Sequence, residues 1–348
     1  MLSNPLSRRA DKTCGGRVVV ESFDSRVLAG NRPQDPVRRN VPVYLPPSYD
    51  TCNRRYPTIY MLAGYSGTGL SYLNTQWRSR SLPEQLDALI NSGRMEESIV
   101  VMADGMTRYG GSQYINSPAT GRYQDFVAEE TVQHIDVQFR TIPCRDARAV
   151  VGKSSGGYGA LRLGMDRPDV FCAVACHSGD IYFEYCYFPT LPVAASSIAR
   201  HGSLPAFLEQ FESQPRLRQA DFDAINTIAS AAAYASASDG EGDGLGFLLP
   251  FDPVSGELRP DVWAHWLTQD PLRLCGHHVA DLRSLRVLFI DVGSTDEYFL
   301  HLGGRLFHQR LLQLKVPHRY EEFEDGHRGT SYRYDVSLPA LRKVLVSE

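Results

Sequence analysis

The sequence predicts an α/β fold: a mostly parallel central sheet flanked by helices, with a mainly helical insertion late in the chain. Three observations carry this. Apolar, β-branched runs at residues 56–63, 98–103, 148–151, 170–176 and 286–292 show no in–out alternation, the pattern of strands covered by helices on both faces. Segments of helical periodicity fall between them, at 82–93, 124–139 and 300–314. Between about 181 and 267 the alternation lapses and aromatic and helical stretches replace it. The expected organisation is one domain with a core at about 16–180 and 268–348 and a cap or lid at about 181–267.

The bulk properties fit a globular chain and exclude several functions. At 348 residues, 43% hydrophobic and 22% charged, the chain is long enough to bury a large core. No apolar run reaches the ~18–20 residues that span a bilayer, so no membrane role is expected. The first residues carry Arg8, Arg9 and Lys12 without an apolar segment, which makes the cytoplasm the expected location. A net charge of -4 without a basic cluster argues against nucleic acid as a partner. Seven cysteines without Cys-x-x-Cys spacing predict free thiols. No metal-ligand spacing or phosphate-binding glycine loop is present, so no metal and no cofactor are expected.

In chain order, residues 16–31 suggest two edge strands, broken by Gly30, and 39–45 a further strand stopped by Pro46-Pro47. The run at 56–63 delivers the chain into Gly64-Tyr65-Ser66-Gly67-Thr68-Gly69. After the strand at 98–103, the loop at 107–123 contains Gln113, Tyr114 and Asn116, at the edge where loops shape pockets.

Next comes Arg148-Ala-Val-Val-Gly-Lys-Ser-Ser-Gly-Gly-Tyr-Gly-Ala-Leu-Arg-Leu, which reads as strand, sharp turn and helix. Its corner, Gly152-Lys153-Ser154-Ser155-Gly156, fits Gly-x-Ser-x-Gly, a turn that lifts a serine hydroxyl clear of a parallel sheet. Lys153 reads as an exposed, solvated lysine. The insertion opens on Tyr182, Phe183, Tyr185, Tyr187 and Phe188, has helical stretches near 204–211 and 222–234, and contains an acidic turn at 239–244. A strand at 318–323 and a helix at 338–346 close the chain.

A serine hydroxyl is a weak nucleophile, so it needs a histidine to take its proton and an acid to hold that histidine. On this fold the order is Ser, acid, His. His327 follows the last expected strand and lies downstream of every candidate acid. For the acid, Asp296 lies in the loop at the sheet's carboxyl edge, whereas Asp291 still belongs to a strand; loop position favours Asp296 over Asp291 and Glu297. The N–H groups of Tyr65 and Ser155 are the candidates for holding a tetrahedral oxyanion. Gln113, Tyr114, His177 and Tyr182 are candidates for the substrate pocket, with a structural hydrogen bond as the other reading of His177.

The elbow followed by Arg167-Pro-Asp-Val-Phe, together with Tyr56-Pro-Thr-Ile-Tyr-Met-Leu-Ala-Gly, Val101-Met-Ala-Asp-Gly, Asp291-Val-Gly-Ser-Thr-Asp and Glu321-Glu-Phe-Glu-Asp-Gly-His, resembles the esterase D-like family of α/β-hydrolases. That family includes enterochelin esterase-like proteins, feruloyl esterases and S-formylglutathione hydrolases. The resemblance implies Ser154 as nucleophile, Asp296 as acid and His327 as base. One departure is Ala63, where many members carry histidine. The expectation is a serine carboxylic-ester hydrolase acting on a small-molecule or polymeric ester, compatible with a homo-oligomer. Acyl transfer to an acceptor other than water and a silent binding protein are the alternatives.

Overall fold

The computed structural model describes residues 15–75, 77, 79–237 and 244–347. An eight-stranded sheet runs in the order β1-β2-β4-β3-β5-β6-β7-β8. These strands are β1 (Arg17–Asp24), β2 (Arg38–Leu45), β3 (Thr58–Leu62), β4 (Ile99–Ala103), β5 (Arg148–Lys153), β6 (Ala173–His177), β7 (Val287–Gly293) and β8 (Arg319–Phe323). From β4 across to β8 every neighbouring pair is parallel, and β2 is antiparallel to both β1 and β4. The fold is that of the α/β-hydrolases, as expected.

The central strands β3, β4, β5 and β6 are buried along almost their whole length, which is why their sequences lack alternation. Helices α1 (Leu82–Asn91), α2 (Val132–Gln138), α3 (Ser155–Asp166), α9 (Leu300–Gln313) and α10 (Tyr334–Arg342) cover the sheet. Ser81 caps α1 in a reciprocal box with Glu84, a start signal legible in the sequence. Between β6 and β7 lie α4 (Phe183–Cys186), α5 (Leu191–Ala199), α6 (Leu204–Ser213), α7 (Gln219–Tyr234) and α8 (Pro260–Leu267). These helices share an apolar cluster with Tyr109, Ile115 and Tyr158 of the sheet layers, and Tyr158, Phe183, Tyr187, Tyr234 and Trp266 form its aromatic centre.

Two boundaries differ from expectation. Residues 16–31 hold one edge strand, because Glu130 captures the amides of Arg26 (2.7 Å) and Val27 (3.3 Å) and turns the chain after Asp24. The last helix starts at Tyr334 with Pro339 inside it. Pro339 has no N–H for the Asp335 carbonyl, and Arg94 supplies the missing donor at 2.8 Å. The acidic turn at 239–244 lies, apart from Gly244, outside the described residues. Among the described residues all six cysteines are free, no group of three or more metal-ligating side chains occurs, and no helix is long and apolar enough to cross a membrane.

Candidate active site

Tyr65, Ser154, Asp296 and His327 sit on loops leaving the carboxyl ends of parallel strands. Ser154 follows β5 with φ 57° and ψ −127°, a backbone conformation that side chains ordinarily avoid. Its amide donates to the His177 carbonyl (2.9 Å) and its own carbonyl accepts from the Tyr158 amide (2.9 Å), so both neighbours hold the strained turn. Glycine is required on either side. A Cβ on Gly152 would come within 2.2 Å of the Gly156 carbonyl oxygen, and one on Gly156 within 2.1 Å of the Leu62 oxygen.

His327 lies in the loop after β8, and its Nδ1 is 2.8 Å from Asp296 Oδ2. Asp296, 2% exposed, follows β7, and its other oxygen accepts from the Tyr298 amide at 2.9 Å. The Tyr298 ring meets the imidazole edge to face, with centroids 4.9 Å apart. Glu297, weighed in the sequence as an acid, does something else: its carboxylate accepts the His327 backbone N–H at 2.6 Å. That bond is the leading reason its pKa falls below the usual glutamate range. The acid loop and the histidine loop are further tied by Thr295, whose hydroxyl donates to the Asp325 carbonyl at 2.9 Å.

On the other side of Ser154, the loop after β3 carries Tyr65. Its hydroxyl donates to the Tyr109 carbonyl (2.7 Å), while Ser66 N–H donates to the Gly110 carbonyl (2.8 Å). Ser155 opens α3, so its N–H has no acceptor within the helix. Gly64, Tyr65, Gln113, Tyr114 and Ser155 line a cavity of about 10 Å³, the size of a single water molecule or carbonyl oxygen. Tyr114 fixes the loop from below by donating to the Ala63 carbonyl at 2.8 Å. Ala63 thus contributes its backbone oxygen to holding the loop in the place where a family histidine is common.

Two expectations are corrected by this geometry. His177 is no pocket wall: it is 3% exposed, with Nδ1 2.6 Å from Asp291 and Nε2 2.7 Å from the Ser337 hydroxyl. Tyr182 packs edge to face on Tyr185 with centroids 4.6 Å apart. Lys153 is half-buried, and desolvation holds its amine below the ordinary lysine range against the pull of Asp296, Glu297, Asp325 and Asp291. The same geometry separates the two aspartates of β7 and its loop. Asp291 is fully buried and is occupied by His177 and by Arg333 Nε at 2.8 Å.

Asp291→Ala is therefore expected to take from His177 its carboxylate and from Arg333 one of its two, and to destabilise the fold by about 3 kcal/mol, read as a lower urea midpoint. Turnover per folded molecule is expected to hold. Lost turnover at unchanged stability would instead make Asp291 the acid.

Sequence reading missed Asp180. It is buried in the turn just past β6, and burial pushes its carboxyl up to about 6. It accepts from the Tyr187 hydroxyl at 2.8 Å and from the Ser155 hydroxyl at 3.4 Å. No single-residue pattern announces such an acid, since its partners come from α3 and from the turn that follows α4.

The chain matches the family model described as "Putative esterase" over residues 36–340, and it belongs to that family. Esterase Rv1288 of Mycobacterium tuberculosis is 30% identical over 145 residues, 40% of this chain and 28% of that protein. An endo-1,4-beta-xylanase/feruloyl esterase of Xylanibacter ruminicola is 28% identical over 144 residues, 40% of this chain and 19% of that one. The chain thus spans less than a third of either relative. Among solved structures, a ferulic acid esterase superposes with TM-score 0.59 at 22% identity, covering 95% of this chain and 99% of the other. An S-formylglutathione hydrolase from Agrobacterium tumefaciens gives TM-score 0.56 at 16% identity, covering 97% and 98%. The expected family and fold are both borne out.

Proposed function

We propose that the protein is a serine carboxylic-ester hydrolase working through an acyl-enzyme on Ser154. The observation that carries this reading is the Asp296–His327 pair at 2.8 Å, offered at the same sheet edge as the strained serine turn. With Nδ1–H held by Asp296, the imidazole presents Nε2 as an acceptor for the Ser154 proton. Ser154 Oγ then bonds to the acyl carbon, and the carbonyl oxygen becomes an oxyanion facing the N–H groups of Ser155 and Tyr65. The cavity they line, about 10 Å³, matches one oxygen atom. His327 returns the proton to the departing alkoxide, and a water molecule, deprotonated in the same way, releases the acid.

The helices at about 181–267 act in this reading as a cap. Support comes from Phe222 of α7, whose ring meets that of Tyr65 edge to face with centroids 5.5 Å apart, so an insertion helix rests on the oxyanion loop. Names among the relatives suggest two acyl classes to compare: hydroxycinnamoyl esters and short acyl thioesters. A panel of methyl ferulate, S-formylglutathione and p-nitrophenyl acetate, butyrate and octanoate is expected to show hydrolysis of at least one member, lost on Ser154→Ala. No turnover of any member, in folded protein, would defeat the reading. Added alcohols or sugars that divert the acyl group from water would identify a transferase.

A further inference from the structure

Gln113 is the side chain in this site that neither the sequence motif nor the triad accounts for. It lines the small cavity beside Ser155 and Tyr65, and it is 2% exposed. Its Nε2 donates to the Tyr187 hydroxyl at 3.2 Å, which leaves Oε1 buried without a hydrogen-bond partner. Buried amide oxygens without partners are rare, because the group loses its water and gains nothing. The backbone is also held against preference: Gln113 and Tyr114 both adopt positive φ, 54° and 55°. Strain on two consecutive residues and an unsatisfied amide thus coincide at the wall of a cavity the size of one oxygen.

We propose that the Gln113 side chain is a third oxyanion donor, whose amide makes a half turn to present Nε2 to the cavity when negative charge forms there. This rests on the serine-hydrolase reading of the site. The two ends of the amide have nearly the same shape, so the turned amide fits the space the unturned one fills. After it, Oε1 accepts from the Tyr187 hydroxyl, whose proton in the unturned site goes to Asp180 at 2.8 Å. Tyr187 also lies 3.1 Å from the Tyr234 hydroxyl, so the relay reaches from the end of α4 to α7. The turn removes one hydrogen bond from the Asp180 carboxylate. Before the reaction Asp180 therefore keeps the hydrogen bond from Tyr187 and Gln113 Oε1 stays unpaired; an oxyanion reverses the preference. A donor that engages only as charge develops stabilises the transition state more than the bound ester.

The test compares Gln113→Met, close in length and without a donor, with the wild type. Expected is a fall in kcat/KM of about 100-fold, carried by kcat with KM little changed, as for loss of one oxyanion donor. Affinity for a trifluoromethyl ketone, which forms a tetrahedral oxyanion on the serine, is expected to fall by a similar factor. Wild-type kcat/KM and wild-type ketone affinity in folded Gln113→Met would overturn the proposal. Should that variant not fold, Gln113→Glu keeps the shape but as a carboxylate has no N–H to donate, and a fall in kcat of about 100-fold is expected; unchanged kcat would overturn the proposal. Ser154→Ala run alongside separates the two claims. If it is inactive and Gln113→Met is normal, only the third donor falls; if Ser154→Ala is fully active, the serine-hydrolase reading fails first.

Discussion

Ser154→Ala is expected to reduce kcat by about 10⁶-fold, the size seen when a serine that acts as one unit with its histidine is removed. The magnitude follows from what the alanine takes away. The backbone at 154 holds φ 57° through its own hydrogen bonds, so the cavity and its N–H groups persist and the substrate still binds. Only the attacking oxygen is missing. Water cannot take its place efficiently, because the turn that aims the hydroxyl at the acyl carbon does nothing to aim a solvent molecule. KM is expected to change little. Folding stability, checked by the urea midpoint, is expected to stay within about 1 kcal/mol of the wild type, since a half-buried hydroxyl is lost from a turn held by backbone bonds. Activity near the wild-type level in pure Ser154→Ala would place the nucleophile elsewhere.

The second large effect is expected at Asp296. Replacement by asparagine should lower kcat by about 10⁴-fold, because an amide can donate to His327 Nδ1 and so favour the tautomer that has its proton on Nε2. That tautomer cannot accept the serine proton. The buried carboxylate also stabilises the imidazolium formed as the proton moves, and the neutral amide does so less. With its nitrogen turned to His327, the new side chain still offers an oxygen to the Tyr298 amide, so the loss of stability is expected to stay near ~1 kcal/mol. The contrast with Asp291 is the informative part. Each aspartate holds a histidine, at 2.8 Å and 2.6 Å respectively, yet only His327 stands on a loop at the sheet edge, while His177 closes a buried network with Ser337. Substituting the first should cost turnover and substituting the second should cost stability.

Much of this was legible in the sequence because parallel strands buried on both faces write themselves as continuous apolar runs, and because the serine turn needs glycines where a Cβ would strike backbone. Gly152 and Gly156 are constrained by contacts of 2.2 Å and 2.1 Å, so the motif is steric before it is catalytic. Asp296 and His327 could be placed because each follows a strand at the same edge. What the sequence hid depends on lateral register. His177 and Asp291 lie 114 positions apart but are direct partners across β6 and β7, and no local pattern marks that pairing. Lys153 reads as solvated in sequence because its carboxylate neighbours come from β7 and from the loops after β7 and β8. The Gln113, Tyr187 and Asp180 relay likewise joins three separate segments, each ordinary by itself. The early start of α10 is obscured by Pro339, because the carbonyl it leaves without a donor is satisfied by Arg94, far away in the chain.

Ser154 is the residue expected to become acylated during turnover. Intact-mass measurement after treatment with a fluorophosphonate, followed by peptide mapping, addresses it directly. One adduct per chain is expected, on Ser154, absent in Ser154→Ala and formed far more slowly in His327→Ala. Ester hydrolysis by folded protein with no adduct, or with the adduct on a residue other than Ser154, would contradict it.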